Sequence, residues 1–198
     1  MMNLILNNYH QVVLPTLWRV GGKEGRVCED GVINLENAGE YVVFVANYSG
    51  KVMINIKSKG VKVKILGLYY GRGKDEFRLE TIQNHEQGES WSDLLVKGVF
   101  DDESRFVYKG LIKIHKGAQQ THAYQKNQNL VLSDRVEVES DPFLEIEAND
   151  VFCTHGSTTS TVSEDQLYYL QTRGVEVDKA RKLIIDGFLN QVLEEFKV

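Results

Sequence analysis

Cysteine, proline and long apolar runs are scarce in this chain. Its 198 residues include two cysteines and two prolines. The two cysteines, Cys28 and Cys153, are too few for a disulfide framework. No run of about 18 apolar residues is present, which excludes a membrane-spanning helix, and the first residues lack the basic start of a secretory signal. We therefore expect a cytoplasmic protein with reduced thiols.

The chain also lacks an excess of positive charge and a glycine-rich phosphate loop. Its formal net charge is −5, so no overall basic field attracts nucleic acid. The lysine cluster KSKGVKVK, residues 57–64, alternates with valine, which is typical of the solvent-facing side of a strand. Without a P-loop, ATP is not predicted to bind here, and any ATPase would be a partner.

From about residue 25 to 160 the pattern is that of successive short strands. In segments such as KVMINIKSKG and VKVKILGLYYG, residues of one parity are apolar and those of the other are polar. No helical period interrupts them, which excludes an α/β alternation. Two architectures remain open, a sandwich or barrel built from hairpins and a parallel β-solenoid.

Hairpin signals are rare in this region. The sequence EDGV at 29–32 is the one clear two-residue turn, and the strands RVEVES and FLEIEA are joined by an Asp-Pro corner instead. Successive faces of one coil fit these features better than hairpins. The pattern therefore favours a β-helix, although the sequence shows no regular repeat.

Helical features begin at Ser163. The segment SEDQ, which starts there, is a capping box, and Gly174 predicts the end of a first helix. A second helix is predicted from Asp178, since its apolar residues recur at helical spacing. We expect a mainly β protein with two parts, a β-helix core over 1–162 and a helical tail over 163–198.

Several blocks in the second half resemble one known family. They are the strand YKGLIKIHKGA, the segment THAYQKNQNLVLSD, the block DPFLEIEANDVFCTHGSTTS and the helix start EDQLYYLQTRG. In this order they are similar to the core of the SufB/SufD family of iron–sulfur cluster assembly proteins (the SUF system). The resemblance runs from about Tyr108 to the C-terminus, nearly half the chain.

The resemblance implies a fold and partners. It implies a right-handed parallel β-helix, followed by a helical region that docks the SufC-type ABC ATPase. It also implies a cytoplasmic scaffold without catalytic activity, which dimerises through the β-helix, either with a SufB-type chain or with a second copy. The block CTHGST is SufD-like, because Gly156 follows the histidine where SufB carries an acidic residue. Asn127 stands near the position of a cluster-building cysteine of SufB, and the chain is short for the family.

Cys153 and His155 are the candidate ligands. At positions i and i+2 of a strand, both side chains lie on one face. Thiolate and imidazole together suit iron, iron–sulfur clusters or zinc. Two ligands are too few to hold a cluster tightly, so a second chain would supply the others to a transient cluster or iron. The alternative is that Cys153 is a small buried hydrophobe beside a hydrogen-bonded histidine.

The remaining titratable residues are interpreted structurally. The other four histidines are expected at the surface or in satisfied hydrogen bonds: His10, His85, His115 and His122. Cys28 is taken as structural, because neighbouring acids raise rather than lower a thiol pKa. The carboxylates Glu145, Glu147 and Asp150 are interpreted as the outer face of a strand.

Three functions follow as hypotheses. The first is a SUF scaffold, which pairs with another chain through an exposed strand edge near residues 115–155. Its tail would dock the ATPase through the aromatic side chains of Tyr168, Tyr169 and Phe196. The second is a carbohydrate-active β-helix enzyme, for which the chain lacks a signal and a suitable charged cluster. The third is an interaction module without metal chemistry.

Overall fold

The computed structural model describes residues 14–20, 23–26 and 31–196. The described elements, in chain order, are β1 (Leu14–Val20), β2 (Lys23–Arg26), β3 (Val32–Leu35), β4 (Gly39–Ala46), β5 (Gly50–Ile56), β6 (Val61–Gly71), β7 (Glu76–His85), β8 (Trp91–Phe100), β9 (Arg105–Ile114), β10 (Thr121–Val131), β11 (Glu137–Ile146), β12 (Val151–Thr161), α1 (Glu164–Thr172) and α2 (Val177–Phe196).

From β3 to β12 the strands form a parallel β-solenoid of about four turns. They alternate between two sheets: sheet A has the order β12-β10-β8-β6-β4-β1-β2, and sheet B has the order β11-β9-β7-β5-β3. Each coil advances by about 30 residues, within the range of solenoid repeats, as the aligned residues Lys62, Trp91, His122 and Phe152 show. The predicted β-helix is confirmed, and the sandwich alternative is wrong.

Sheet A also contains a hairpin that the sequence did not predict. Strand β1 pairs antiparallel with both β2 and β4, so sheet A is mixed at this end. The turn predicted at 29–32 lies partly outside the described residues. Cys28 and His10 lie wholly outside them.

The corners of the coils are stacked in a regular way. Gly60, Glu89 and Gln120 occupy equivalent corners with φ angles of 71°, 50° and 58°. The Gly60 amide donates to the Glu89 carbonyl at 2.9 Å, and the Glu89 amide donates to the carbonyl of Gln119 at 2.9 Å. Glycine adopts this left-handed backbone without strain, whereas the other two residues are held in it by the stacked coils.

The main core lies between the two sheets. Valine, isoleucine and leucine fill it from both inner faces. Aromatic rings continue the packing, since Phe100 and Phe106 stack at a centroid distance of 4.9 Å and Tyr69 lies 4.8 Å from Phe106. The alternating pattern of the sequence therefore corresponds to side chains that point alternately into and out of the solenoid.

The two helices cover part of the outer face of sheet A. The Gln166 amide donates to the Ser163 hydroxyl at 3.4 Å, which confirms the N-cap, and Gly174 follows α1 with a φ of 81°. Helix α2 packs on apolar side chains of β4, β6, β8 and β10. Phe196 belongs to this contact, 4.9 Å from the ring of Phe44. Its predicted place on an exposed aromatic surface is therefore wrong. No described helix has the length and apolarity needed to cross a bilayer.

Candidate functional site

The candidate ligands lie on the last strand of the solenoid. Strand β12 pairs with β10 on one side and, among the described strands, ends sheet A on the other. Cys153 is in register with Ala123, and His155 is in register with Gln125. Because Ala123 and Gln125 point into the solenoid and are buried, Cys153 and His155 lie on the inward face of the terminal coil. The two residues share a face, as predicted.

Their surroundings differ. Cys153 is half-buried and packs against a small apolar cluster that contains Ala123 and Ala148. Burial raises the pKa of the Cys153 thiol above its ordinary value, and a hydrogen bond with the backbone of Ala123 offsets part of this rise. The thiol therefore resists conversion to the thiolate that binds metals. The His155 side chain is exposed, and no hydrogen bond or ion pair joins it to another described side chain.

Cys153 and His155 have no further metal ligands beside them among the described residues. Among residues 31–196, no three His, Cys, Asp or Glu side chains lie close enough together to hold a metal ion. Imidazole and thiolate suit iron and iron–sulfur clusters. The chemistry of the donors fits such a group, but their number requires additional ligands from elsewhere.

A chain of hydrogen bonds leads from this strand into the solenoid. The Ser157 hydroxyl donates to Ser140 at 2.8 Å, and the Ser140 hydroxyl donates to the Asn127 side-chain oxygen at 2.9 Å. Asn129 donates to the same oxygen at 2.7 Å. Asn127 and Asn129 are fully buried, so a polar path connects the exposed inward face of β12 with the solenoid interior.

The inner faces of the solenoid carry further buried polar residues, Gln83 and Gln125. Gln83 donates weakly to Gln125 at 3.4 Å, which leaves the Gln83 oxygen and the Gln125 nitrogen without a protein partner. The family resemblance points to Asn127 but not to its serine partners. The parity of Ser140 and Ser157 within their strands is the signal that places them on the inward face.

The other described histidines have structural roles. His85 is buried between the hydroxyls of Ser90 and Ser92, both at 2.8 Å from its ring nitrogens. His115 lies 2.9 Å from the side-chain oxygen of Asn84, and His122 is stacked between aromatic rings on the outer face of sheet A. This agrees with the interpretation of these residues as satisfied rather than ligating.

Comparison with known proteins identifies the family. The family model of the SUF system FeS cluster assembly SufBD core domain matches residues 28–188. The chain belongs to the SufBD family. The matched residues include every strand from β3 to β12 and both Cys153 and His155.

Curated SufBD relatives are similar over part of their length. SufD of Escherichia coli is 34% identical over 117 residues, which cover 59% of this chain and 28% of the relative. SufD of Bacillus subtilis is 33% identical over 128 residues, which cover 65% and 29%. A SufBD family protein of Synechocystis is 34% identical over 130 residues, which cover 66% and 28%. The chain therefore spans less than a third of these relatives.

Proposed function

We propose that the chain is a SufD-like scaffold subunit of iron–sulfur cluster assembly. The proposal is supported by one observation: Cys153 and His155 lie within the residues that match the SufBD core, and both belong to β12, the last described strand of sheet A. The iron–sulfur cluster, or iron, is its transient cargo. The role is non-catalytic, in a cytoplasmic complex with a SufC-type ATPase and a SufB-type chain.

His155 is the better ligand of the two. Its side chain is exposed on the inward face of β12, and neutral imidazole binds iron without losing a proton at neutral pH. Cys153 is half-buried with a raised thiol pKa, so it assists after deprotonation rather than capturing metal first. A second chain must bring the remaining ligands, because a pair of donors holds a cluster weakly.

The edge of β12 fits the approach of that second chain. Residues 151–161 contain no lysine, arginine, aspartate or glutamate. Natural sheets protect free edges with charges or proline, and this strand has neither. An uncharged edge of 11 residues is suited to pairing with a partner strand, which would bring further ligands next to His155.

The helical tail provides a surface for the ATPase. A groove of about 620 Å³ between α1 and α2 is lined by Tyr169, Leu170, Leu183 and Phe188. Tyr168 and Tyr169 are 70% and 57% exposed, and aromatic side chains frequently anchor protein interfaces. These two tyrosines keep their proposed role at the ATPase contact, whereas Phe196 does not.

Anaerobic reconstitution with iron and sulfide tests the scaffold proposal. We expect visible cluster absorption when this chain is mixed with a SufB-type chain, at a level above that of either chain alone. The additive sum of the two separate chains is the control. If the mixture shows only this sum, the chain contributes no ligands, and an interaction module without metal chemistry becomes the better account.

A further inference from the structure

One positive charge is buried beneath helix α2. Lys97, on β8, is 5% exposed, and among the described residues it is the only lysine, arginine, aspartate or glutamate that is buried. Its neighbours on the same side of the strand, Leu95 and Val99, belong to the apolar cluster on which α2 packs. The Lys97 ammonium therefore lies in a largely apolar interface between the helix and the outer face of sheet A.

The Lys97 ammonium has no carboxylate partner among the described residues. None of the ion pairs between them includes Lys97. Instead it donates a hydrogen bond of 3.1 Å to the Phe188 carbonyl of α2, and it lies 4.3 Å from the centroid of the Phe188 ring. Burying a cation without a counter-charge is unfavourable, and the carbonyl dipole and the ring face offset part of that penalty.

The charges around Lys97 do not replace these two contacts. Burial lowers the pKa of Lys97, Lys126 lowers it further, and Glu195, near the end of α2, raises it. Glu195 also interacts with other groups, since its carboxylate lies 3.9 Å from the Lys64 ammonium. The pKa of Asp93 is raised by burial and then by the same Glu195. The protonated Lys97 side chain therefore depends on Phe188 for its direct contacts.

The contacts of Lys97 restrict where α2 can lie. Both belong to one residue of the helix, and hydrogen bonds are directional. Moving the helix by one residue would shift the Phe188 carbonyl by about 1.5 Å and turn it by about 100°, which would leave the cation without either contact. The apolar side chains of the interface tolerate such a change better, because hydrophobic attraction is non-directional. A single buried polar residue selects the register of coiled coils in the same way.

Phe188 also lines the groove between α1 and α2. The neighbouring Gly187 has no side chain to contribute to this wall, and Tyr169 and Leu183 form other parts of the lining. Lys97 contacts Phe188 from the sheet. The residue that forms this part of the groove is therefore the one that the buried ammonium holds in place.

We propose that Lys97 is a positioning residue, which selects one placement of α2 on sheet A and thereby sets the shape of the groove between α1 and α2. The selection lowers stability, because an apolar side chain of similar size would fill the same interface without an unpaired charge. The inference rests on the proposed function in one respect only, namely that this groove is the contact for the ATPase.

The variant Lys97→Met in the full chain tests this role, since methionine has a similar length and no charge. Amide NMR spectra of the chain without partners report the placement of α2, and Gly187, the one glycine of this helix, supplies a distinct signal. We expect Lys97→Met to melt at or above the wild-type temperature. We also expect a second set of α2 amide signals, with about a tenth or more of the intensity of the first, where the wild type shows one set.

The matched control is Lys126→Met, which makes the same change of charge. Lys126 lies on the neighbouring strand β10, in register with Leu95, but its side chain is exposed. This variant should keep one set of α2 signals. One set in Lys97→Met, at whatever melting temperature, would overturn the proposal, and so would two sets in both variants.

A second measurement uses the wild type and does not depend on the folding of a variant at Lys97. The ring current of Phe188 should shift the methylene signals next to the Lys97 ammonium upfield of those of Lys126, and Phe188→Leu should abolish the difference. Equal positions for the two lysines in the wild type would overturn the proposal. None of these assays contains an ATPase, iron or sulfide, so a failure of cluster reconstitution leaves the positioning role standing, and the reverse also holds.

Discussion

At the scale of single residues, the two candidate donors differ in how easily they can bind a metal. Packing against Ala123 and Ala148 buries Cys153 in part and keeps its thiol protonated. His155, two residues further along the same strand, is exposed. No complete ligand set forms within the described chain. A partly buried thiol and an exposed imidazole would therefore hold a cluster or iron only weakly, which suits a scaffold that must release it.

His85 makes the folded state sensitive to acid. Burial lowers the pKa of His85 from 6.5 to about 4, so the unfolded chain binds a proton here before the folded one does. Stability from this group is present above pH 6.5 and is lost as the pH falls from 6.5 towards 4. Between pH 7 and pH 5 we expect a loss of about 2 kcal/mol in the free energy of unfolding.

Urea unfolding at the two pH values measures this loss. The variant His85→Gln should be less stable at pH 7 and should show a smaller decrease at pH 5 than the wild type. His155→Ala, which alters an exposed histidine, is the control and should keep the full decrease. Equal pH dependence in wild type and His85→Gln would show that this residue does not carry the effect.

At the scale of elements, the burial of apolar side chains holds helix α2 on sheet A. Leu189 is 2% exposed and packs on the outer face of sheet A, whereas Leu183 on the same helix is 47% exposed. We expect Leu189→Ala to cost about 2–5 kcal/mol and to speed amide exchange along α2. The matched substitution Leu183→Ala should cost less than about 1 kcal/mol. Equal costs in denaturant unfolding would contradict this packing.

The sequence predicted the helices better than the strands and their repeat. The segments RVEVES and FLEIEA, expected as two strands joined at an Asp-Pro corner, form the single strand β11. Alternation and the scarcity of Asn-Gly and Asp-Gly turns pointed to a solenoid, and the capping box at Ser163 located α1 within one residue. The period of about 30 residues was hidden because Glu89 and Gln120 occupy corners where glycine is the usual signal. Tertiary stacking holds these residues in the left-handed conformation, and composition cannot show it.

Only part of the candidate site could be predicted from the sequence. Strand parity placed Cys153 and His155 on one face. The link from Ser157 through Ser140 to Asn127 joins β12, β11 and β10, and such contacts depend on the register between coils. The antiparallel β1–β2 hairpin and the burial of Phe196 also depend on tertiary packing, which explains why the sequence alone missed them.

At the scale of the whole molecule, both sheets end at one terminal coil. Sheet A ends there with the uncharged edge of β12, and sheet B ends with the acidic edge of β11. The inward residues Leu144 and Ile146 of this coil are exposed large hydrophobics. A partner that pairs at this end would cover them and complete the ligand set at His155, so assembly and metal capture would occur on the same surface.

Genetic complementation with His155→Ala tests whether His155 is a ligand in cluster assembly. The assay measures the activity of an iron–sulfur enzyme in cells whose own SufD-type subunit has been replaced by this chain. Because His155 is exposed, the variant should keep the wild-type fold and melting temperature while cluster assembly is lost. Exposed Thr154→Ala on the opposite face of β12 is the control and should complement fully. A folded His155→Ala protein that restores full enzyme activity would contradict the account.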